Sequence, residues 1–180
     1  MPSSFEIDPL GWHALARRAK SPNFDCRPAD QEIELIVIHA ISLPPGQFGG
    51  SGVEQLFANT IVASDHPYYA EIAGLRVSAH FFIRRNGQLL QFVSCLDRAW
   101  HAGVSVWKGR ERCNDFSIGI ELEGDDFCAF DDRQYEVLNP LIKSLCEVYP
   151  VTEVVGHNDI SPGRKTDPGP CFDWDRLKNA

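Results

Sequence analysis

Along the chain, short apolar blocks alternate with polar stretches rich in Gly and Pro, and the blocks differ in period. Residues 11–18 (GWHALARR) space their apolar positions as a short amphipathic helix does, and Ser21-Pro22-Asn23 follows as a loop. Residues 34–39 (ELIVIH) are β-branched and apolar, the pattern of a buried strand, and they empty into Leu43-Pro44-Pro45-Gly46, where no regular element continues. Residues 53–60 predict a helix. Residues 76–85 (RVSAHFFIRR) predict a strand, Asn86-Gly87 a two-residue hairpin turn, and residues 88–93 the returning strand. Residues 116–123 (FSIGIELE) alternate as a further strand. Over residues 133–149, Tyr135, Leu138, Leu141, Ile142, Leu145 and Cys146 recur at helical spacing. Residues 152–156 form a short strand, and the remainder, broken by Pro162, Gly163, Pro168, Gly169 and Pro170, is irregular. Helices and strands interleave around one mixed sheet, so the class is α/β or α+β; element order alone does not choose between them.

Composition narrows the biology. At 180 residues, the chain suffices for one hydrophobic core, and a single domain over residues 1–180 is expected. The apolar fraction of 43% and charged fraction of 23% exclude a disordered, fibrous or coiled-coil chain. The net charge of −8 repels polyanions, which argues against nucleic acid and anionic membranes as partners. Residues 1–9 carry Glu6 and Asp8, no basic residue and no apolar core, so no signal peptide is expected. No apolar run approaches the ~20 residues of a membrane span. Six cysteines lie scattered without a CxxC pair, as reduced thiols do. These features predict a cytoplasmic, monomeric protein.

The candidate chemistry centres on histidine. His39 ends the most hydrophobic strand, and His157 ends residues 152–156, in the run Gly156-His157-Asn158-Asp159. Side chains at strand ends stand next to clefts, and two such histidines could share a metal; two satisfied loop histidines are the alternative. Catalytic zinc takes three protein ligands and keeps one position open for water. Asp167, Asp159 and Cys171 all qualify as the third ligand by spacing, which does not choose among them.

The runs IVIHAISLPPGQFGG, RVSAHFFIRRNGQLLQFV, RAWHAGVS, GRERCNDFSIGIELEGDD and GHNDISPGRKTDPGP resemble the zinc-dependent N-acetylmuramoyl-L-alanine amidases, and most of all their cytosolic peptidoglycan-recycling branch. The resemblance runs in order from about residue 11 to residue 177. It implies a mixed central sheet flanked by helices, shared with peptidoglycan recognition proteins, and one Zn2+ per chain held by His39, His157 and Asp167. It also implies hydrolysis of the amide between the lactyl group of (1,6-anhydro-)N-acetylmuramic acid and the L-Ala of the stem peptide, which indirectly restrains β-lactamase induction. An anhydromuropeptide is the expected substrate.

Amide hydrolysis further needs a carboxylate to take a proton from water and pass it to the leaving nitrogen. Strand alternation turns Gly119, Glu121 and Glu123 to one face and narrows the base to Glu121 or Glu123. The family's I-G-I-E run corresponds to Glu121, and Lys165 resembles the family lysine that stabilises the oxyanion. The resemblance further suggests Arg76, Arg112, Trp100, His101 and Leu122 as substrate contacts, the arginines for the stem-peptide carboxylates. Arg98 is expected to be structural, His80 a satisfied core histidine, and His13 and His66 surface or loop residues. The recycling branch usually carries Asn after the first ligand histidine, whereas this chain has Ala40, which offers no side-chain hydrogen bond. Broader muropeptide specificity, a non-catalytic peptidoglycan-binding module, a secreted wall amidase and a structural zinc site are the competing readings. The presence of all three ligands with Glu121 and Lys165 argues against a binding module. A structural site would require a fourth ligand.

Overall fold

Two-sided apolar strands have to be covered on both faces, and that requirement organises this chain. The computed structural model describes residues 6–177. In chain order it contains β1 (Arg17–Arg18), β2 (Phe24–Cys26), β3 (Leu35–Ile41), α1 (Gly52–Phe57), α2 (Pro67–Ile72), β4 (Phe81–Ile83), β5 (Leu89–Gln91), β6 (Asp97–Ala99), β7 (Val106–Trp107), β8 (Arg110–Glu111), β9 (Ser117–Glu123), α3 (Asp132–Val148), β10 (Glu153–Gly156) and α4 (His157–Ile160). Single 3₁₀ turns occur at Cys113–Asp115 and Trp174–Leu177.

The main sheet has six strands in the order β1-β5-β4-β9-β3-β10. Only the β4–β5 hairpin is antiparallel; the other neighbours run parallel, so the sheet is mixed. Period-two alternation sorts the side chains. Ile36 and Ile38 of β3 and Ile118, Ile120 and Leu122 of β9 join Tyr135, Leu138, Leu141, Ile142 and Leu145 of α3 in one core. On the other face, Phe82 and Leu90 pack with Leu56 and Phe57 of α1 and Tyr69 and Ile72 of α2. Each fully buried Leu, Ile or Phe contributes about 1.5–3 kcal/mol. Helix α3 starts at a capping box: Asp131 accepts from Arg133 N–H, and Gln134 reaches back to Asp131 N–H.

The structure differs from the sequence pattern in several places. Residues 11–18 are not helical. Gly11 turns at φ +78°, the buried Gln91 side chain accepts the His13 N–H at 2.7 Å, and Arg17–Arg18 pair with Leu90 and Gln91. His13 is therefore buried rather than on the surface. The expected strand over 76–85 is regular only over Phe81–Ile83. Cys146, assigned to the apolar stripe of α3, is exposed. The unforeseen α2 has Pro67 in its first turn and the His66 ring as its cap, accepting from Tyr68 N–H. All six cysteines are free thiols. Among the described residues, no helix is long and apolar enough to cross a membrane.

Candidate metal centre and its cleft

Parallel pairing of β3 with β9 aligns His39 with Glu121, and pairing with β10 aligns Gly156 with Ile38. The two predicted strand-end histidines thus come together because their strands are neighbours. The chain turns into α4 at His157, and Asp167 returns on the following loop, where its carbonyl accepts the Asn158 N–H. His39 Nδ1 lies 3.0 Å from His157 Nδ1, and both nitrogens lie 3.1 Å from Asp167 Oδ2. Both histidines are buried and Asp167 is half-buried.

The electrostatics suit a cation. Burial drives the His39 imidazole down to about 4 against the opposing pull of Asp167, so the ring is neutral near pH 7. Burial alone would raise the Asp167 carboxyl, but the close His157 and His39 rings outweigh that and hold it well below the usual carboxylate range. Two imidazole nitrogens and a carboxylate oxygen therefore converge at one point, a donor set that fits a divalent ion such as zinc. The rivals for the third place are elsewhere: Asp159 accepts the Gly156 N–H at 2.7 Å, and Cys171 donates to the Asp126 carbonyl.

The cluster opens into a cleft of about 500 Å³ whose walls include Ala40, Leu43, Trp100, Glu121, Phe127 and Lys165. Glu121 is 8% exposed, and among the described residues its Oε2 has no hydrogen-bond partner. Burial, reinforced by the Asp167 charge and opposed by Lys165, raises its carboxyl well above the usual range. Glu123 is equally buried but engaged, accepting from the N–H groups of Gly49 and Arg85. The structure thus separates two carboxylates that strand alternation leaves equivalent.

The expected substrate contacts fare unevenly. Trp100 and His101 line the cleft, although His101 also contacts His39 at 2.9 Å. Leu122 is fully buried: alternation turns its side chain into the α3 core rather than into the cleft wall. Arg76 is exposed between two cleft residues, Leu75 and Val77, with its guanidinium on the carbonyls of Ala73 and Leu75. Arg112 is exposed, adopts φ +61° and pairs with Asp115 at 3.3 Å. Neither guanidinium reaches into the cleft. Arg98 is structural, bridging Asp25 and Asp115. His80 is buried and satisfied, accepting the Gly119 N–H and facing the Asp97 carbonyl. Asn114 and Ser117 carry no local signal in the sequence, whereas the exposed Phe127 beside two acids stands out as an unpatterned aromatic.

A buried two-histidine, one-carboxylate cluster with an open side, set in a mixed sheet, is the arrangement of a hydrolase that activates water. Residues 29–170 match the family described as N-acetylmuramoyl-L-alanine amidase (Amidase_2), and the chain belongs to that family. Among its relatives is the 1,6-anhydro-N-acetylmuramyl-L-alanine amidase AmpD of Escherichia coli (strain K12), 56% identical over 170 residues that span 93% of each chain. The crystal structure of a selenomethionine AmpD derivative superposes with a TM-score of 0.93 at 55% identity, covering 96% of this chain and 97% of that one. A more distant likeness, TM-score 0.61 at 31% identity over 96% of this chain and 64% of the other, is to the E. coli amidase AmiD in complex with the substrate anhydro-N-acetylmuramic acid-L-Ala-D-gamma-Glu-L-Lys.

Proposed function

We propose that the protein is a zinc-dependent 1,6-anhydro-N-acetylmuramyl-L-alanine amidase of cytoplasmic peptidoglycan recycling. It hydrolyses the amide between the lactyl group of anhydro-N-acetylmuramic acid and L-Ala. The convergence of His39, His157 and Asp167 beside the unpartnered Glu121 carries this reading. The high identity with AmpD over nearly the whole chain supplies the substrate class. The free thiols agree with a reducing compartment.

In this reading His39, His157 and Asp167 hold the ion. Zinc, when bound, lowers the pKa of water toward ~7 and polarises the scissile carbonyl. Glu121 Oε2, in a carboxyl that burial raises well above the usual range, takes the proton of the attacking water and delivers it to the leaving nitrogen. Lys165 Nζ donates a charge-assisted hydrogen bond to the developing oxyanion. Arg76, flanked by cleft residues, and the exposed Arg112 turn from their present partners to the stem-peptide carboxylates. Trp100 and the apolar wall near Leu43 exclude water from the sugar side.

The test is chelation followed by reloading. Metal-free protein should not cleave an anhydromuropeptide, and one equivalent of zinc should restore cleavage. Full activity after complete chelation contradicts the reading.

A further inference from the structure

We propose that the segment from Trp100 to Ala102, latched by Asn114, is the positioning element that presents Nδ1 of both His39 and His157 to the cation, with His101 fixing His39. This rests on the reading of His39, His157 and Asp167 as a cation site.

Two hydrogen-bond chains run back from the ligand histidines to backbone carbonyls, which can only accept. The carbonyl of Cys113 accepts from Ser117 Oγ at 2.6 Å, so the hydroxyl proton is spent there. Ser117 Oγ then accepts from the ring nitrogen 3.2 Å away, which makes His101 an Nε2–H tautomer. His101 Nδ1 is consequently bare and accepts from His39 Nε2–H at 2.9 Å, which leaves His39 Nδ1 bare. The second chain is shorter. The Ala102 carbonyl lies 3.0 Å from His157 Nε2 and can only accept, so His157 also carries its proton on Nε2 and leaves Nδ1 bare. Asp167 Oδ2, 3.1 Å from both Nδ1 atoms, and the Arg164 guanidinium, 3.5 Å from His157 Nε2, pull toward the opposite tautomers, and the shorter contacts of 2.9 Å to His101 and 3.0 Å to the Ala102 carbonyl outweigh them. Two anchors thus place both lone pairs at the same point, and both pass through consecutive residues.

Those residues are themselves held. Asn114 Oδ1 accepts the N–H of His101 at 3.1 Å and of Ala102 at 2.9 Å. One side-chain oxygen therefore positions the ring behind His39 and the carbonyl behind His157. The His101 ring is also pressed against Gly119, where any Cβ would collide with it. Outer partners of this kind decide tautomer and ring orientation, and their loss weakens metal binding by about 10–100-fold.

Nitrogen-detected NMR of the imidazole rings, combined with zinc affinity by chelator competition, tests the proposal on the full chain. In the metal-free native protein, His39, His101 and His157 should all be Nε2–H tautomers. His101→Leu and Asn114→Leu should weaken zinc binding by about 10–100-fold. Asn114→Asp keeps the accepting oxygen and should bind zinc nearly as the native protein does. An Nδ1–H tautomer on His39 or His157 overturns the proposal. So do Leu variants that hold zinc as tightly as native, or Asn114→Asp binding as poorly as Asn114→Leu. Should the Leu variants fail to fold, the native tautomers and Asn114→Asp still decide. A native protein that binds no zinc refutes the cation-site reading instead, and the tautomers remain measurable.

Discussion

Gly119→Ala sets two known effects against each other. Gly119 lies in β9 outside the left-handed region, so replacing it by Ala would ordinarily stabilise the fold by about 0.4–1 kcal/mol through the unfolded chain. The packing reverses that sign. A Cβ built at 119 falls 2.6 Å from His101 Nδ1 and 2.7 Å from its Cδ2, whereas ordinary contacts lie at about 3.5–4.0 Å. The ring must retreat by about 1 Å, yet the His39 and His80 rings stand 5.0 and 5.8 Å from its centroid. Overpacking of this kind costs about 1–3 kcal/mol, more than the entropic gain. The melting temperature should fall by about 2–10 °C for a domain of this size. The same displacement breaks the His101–His39 hydrogen bond, and a 1 Å misplacement can cost about 10²-fold in rate. Calorimetric melting and kcat/KM of zinc-loaded protein measure both, with Gly74→Ala, whose Cβ would meet open space, as the control. Gly119→Ala melting at or above native with unchanged kcat/KM refutes the reasoning; lower melting with unchanged kcat/KM refutes the positioning role alone.

Glu121→Gln should keep zinc and lose kcat by about 10²–10⁴-fold, whereas Glu123→Gln should lose little activity and instead destabilise the fold by about 1 kcal/mol, because its carboxylate satisfies part-buried N–H groups. Kinetics and melting of the pair check the assignment, and reversed effects contradict it. Asp167→Ala should lose bound zinc by elemental analysis while Cys171→Ser retains it; the opposite result sinks the ligand set. Arg76→Ala and Arg112→Ala should each lower kcat/KM by about 10–100-fold if the arginines swing onto the peptide carboxylates; unchanged kcat/KM in both removes them from recognition. His80 is pushed down to about 3 by burial and the Arg27 guanidinium. The unfolded chain therefore takes up a proton below about pH 6.5 that the native state refuses, and stability falls as pH drops, by about 1.4 kcal/mol per unit for this one group. Metal-free native protein should lose stability more steeply than His80→Gln between pH 6 and 4; parallel curves contradict the buried neutral ring.

Strong periodicity made β3, β9, β10 and α3 legible, since each buries a face that the pattern already marks. Residues 11–18 depart from the helix that the spacing of GWHALARR predicts, because Gln91 satisfies the backbone there and that partner lies 78 positions away. Helix α2 was overlooked because two tyrosines and a proline carry no apolar stripe; its cap, His66, is visible only in three dimensions. At the site, His39 and His157 could be read from strand ends. Asp167 could not be told from Asp159 or Cys171 by spacing, because the loop after α4 has no period. Glu121 and Glu123 share a face and part only where β3 ends, at the Ile41–Glu123 pair, beyond which Gly49 and Arg85 capture Glu123. His101, Asn114 and Ser117 act through contacts between separate segments, and no local pattern encodes such roles.

The most direct test of the account is hydrolysis of an anhydromuropeptide in H₂¹⁸O, followed by mass spectrometry of both products. Water attacking the lactyl carbonyl places one ¹⁸O in the carboxylate of the anhydro sugar and leaves a stem peptide with a free, unlabelled L-Ala amino terminus. Label in the peptide, or cleavage at any bond other than the lactyl–L-Ala amide, contradicts it.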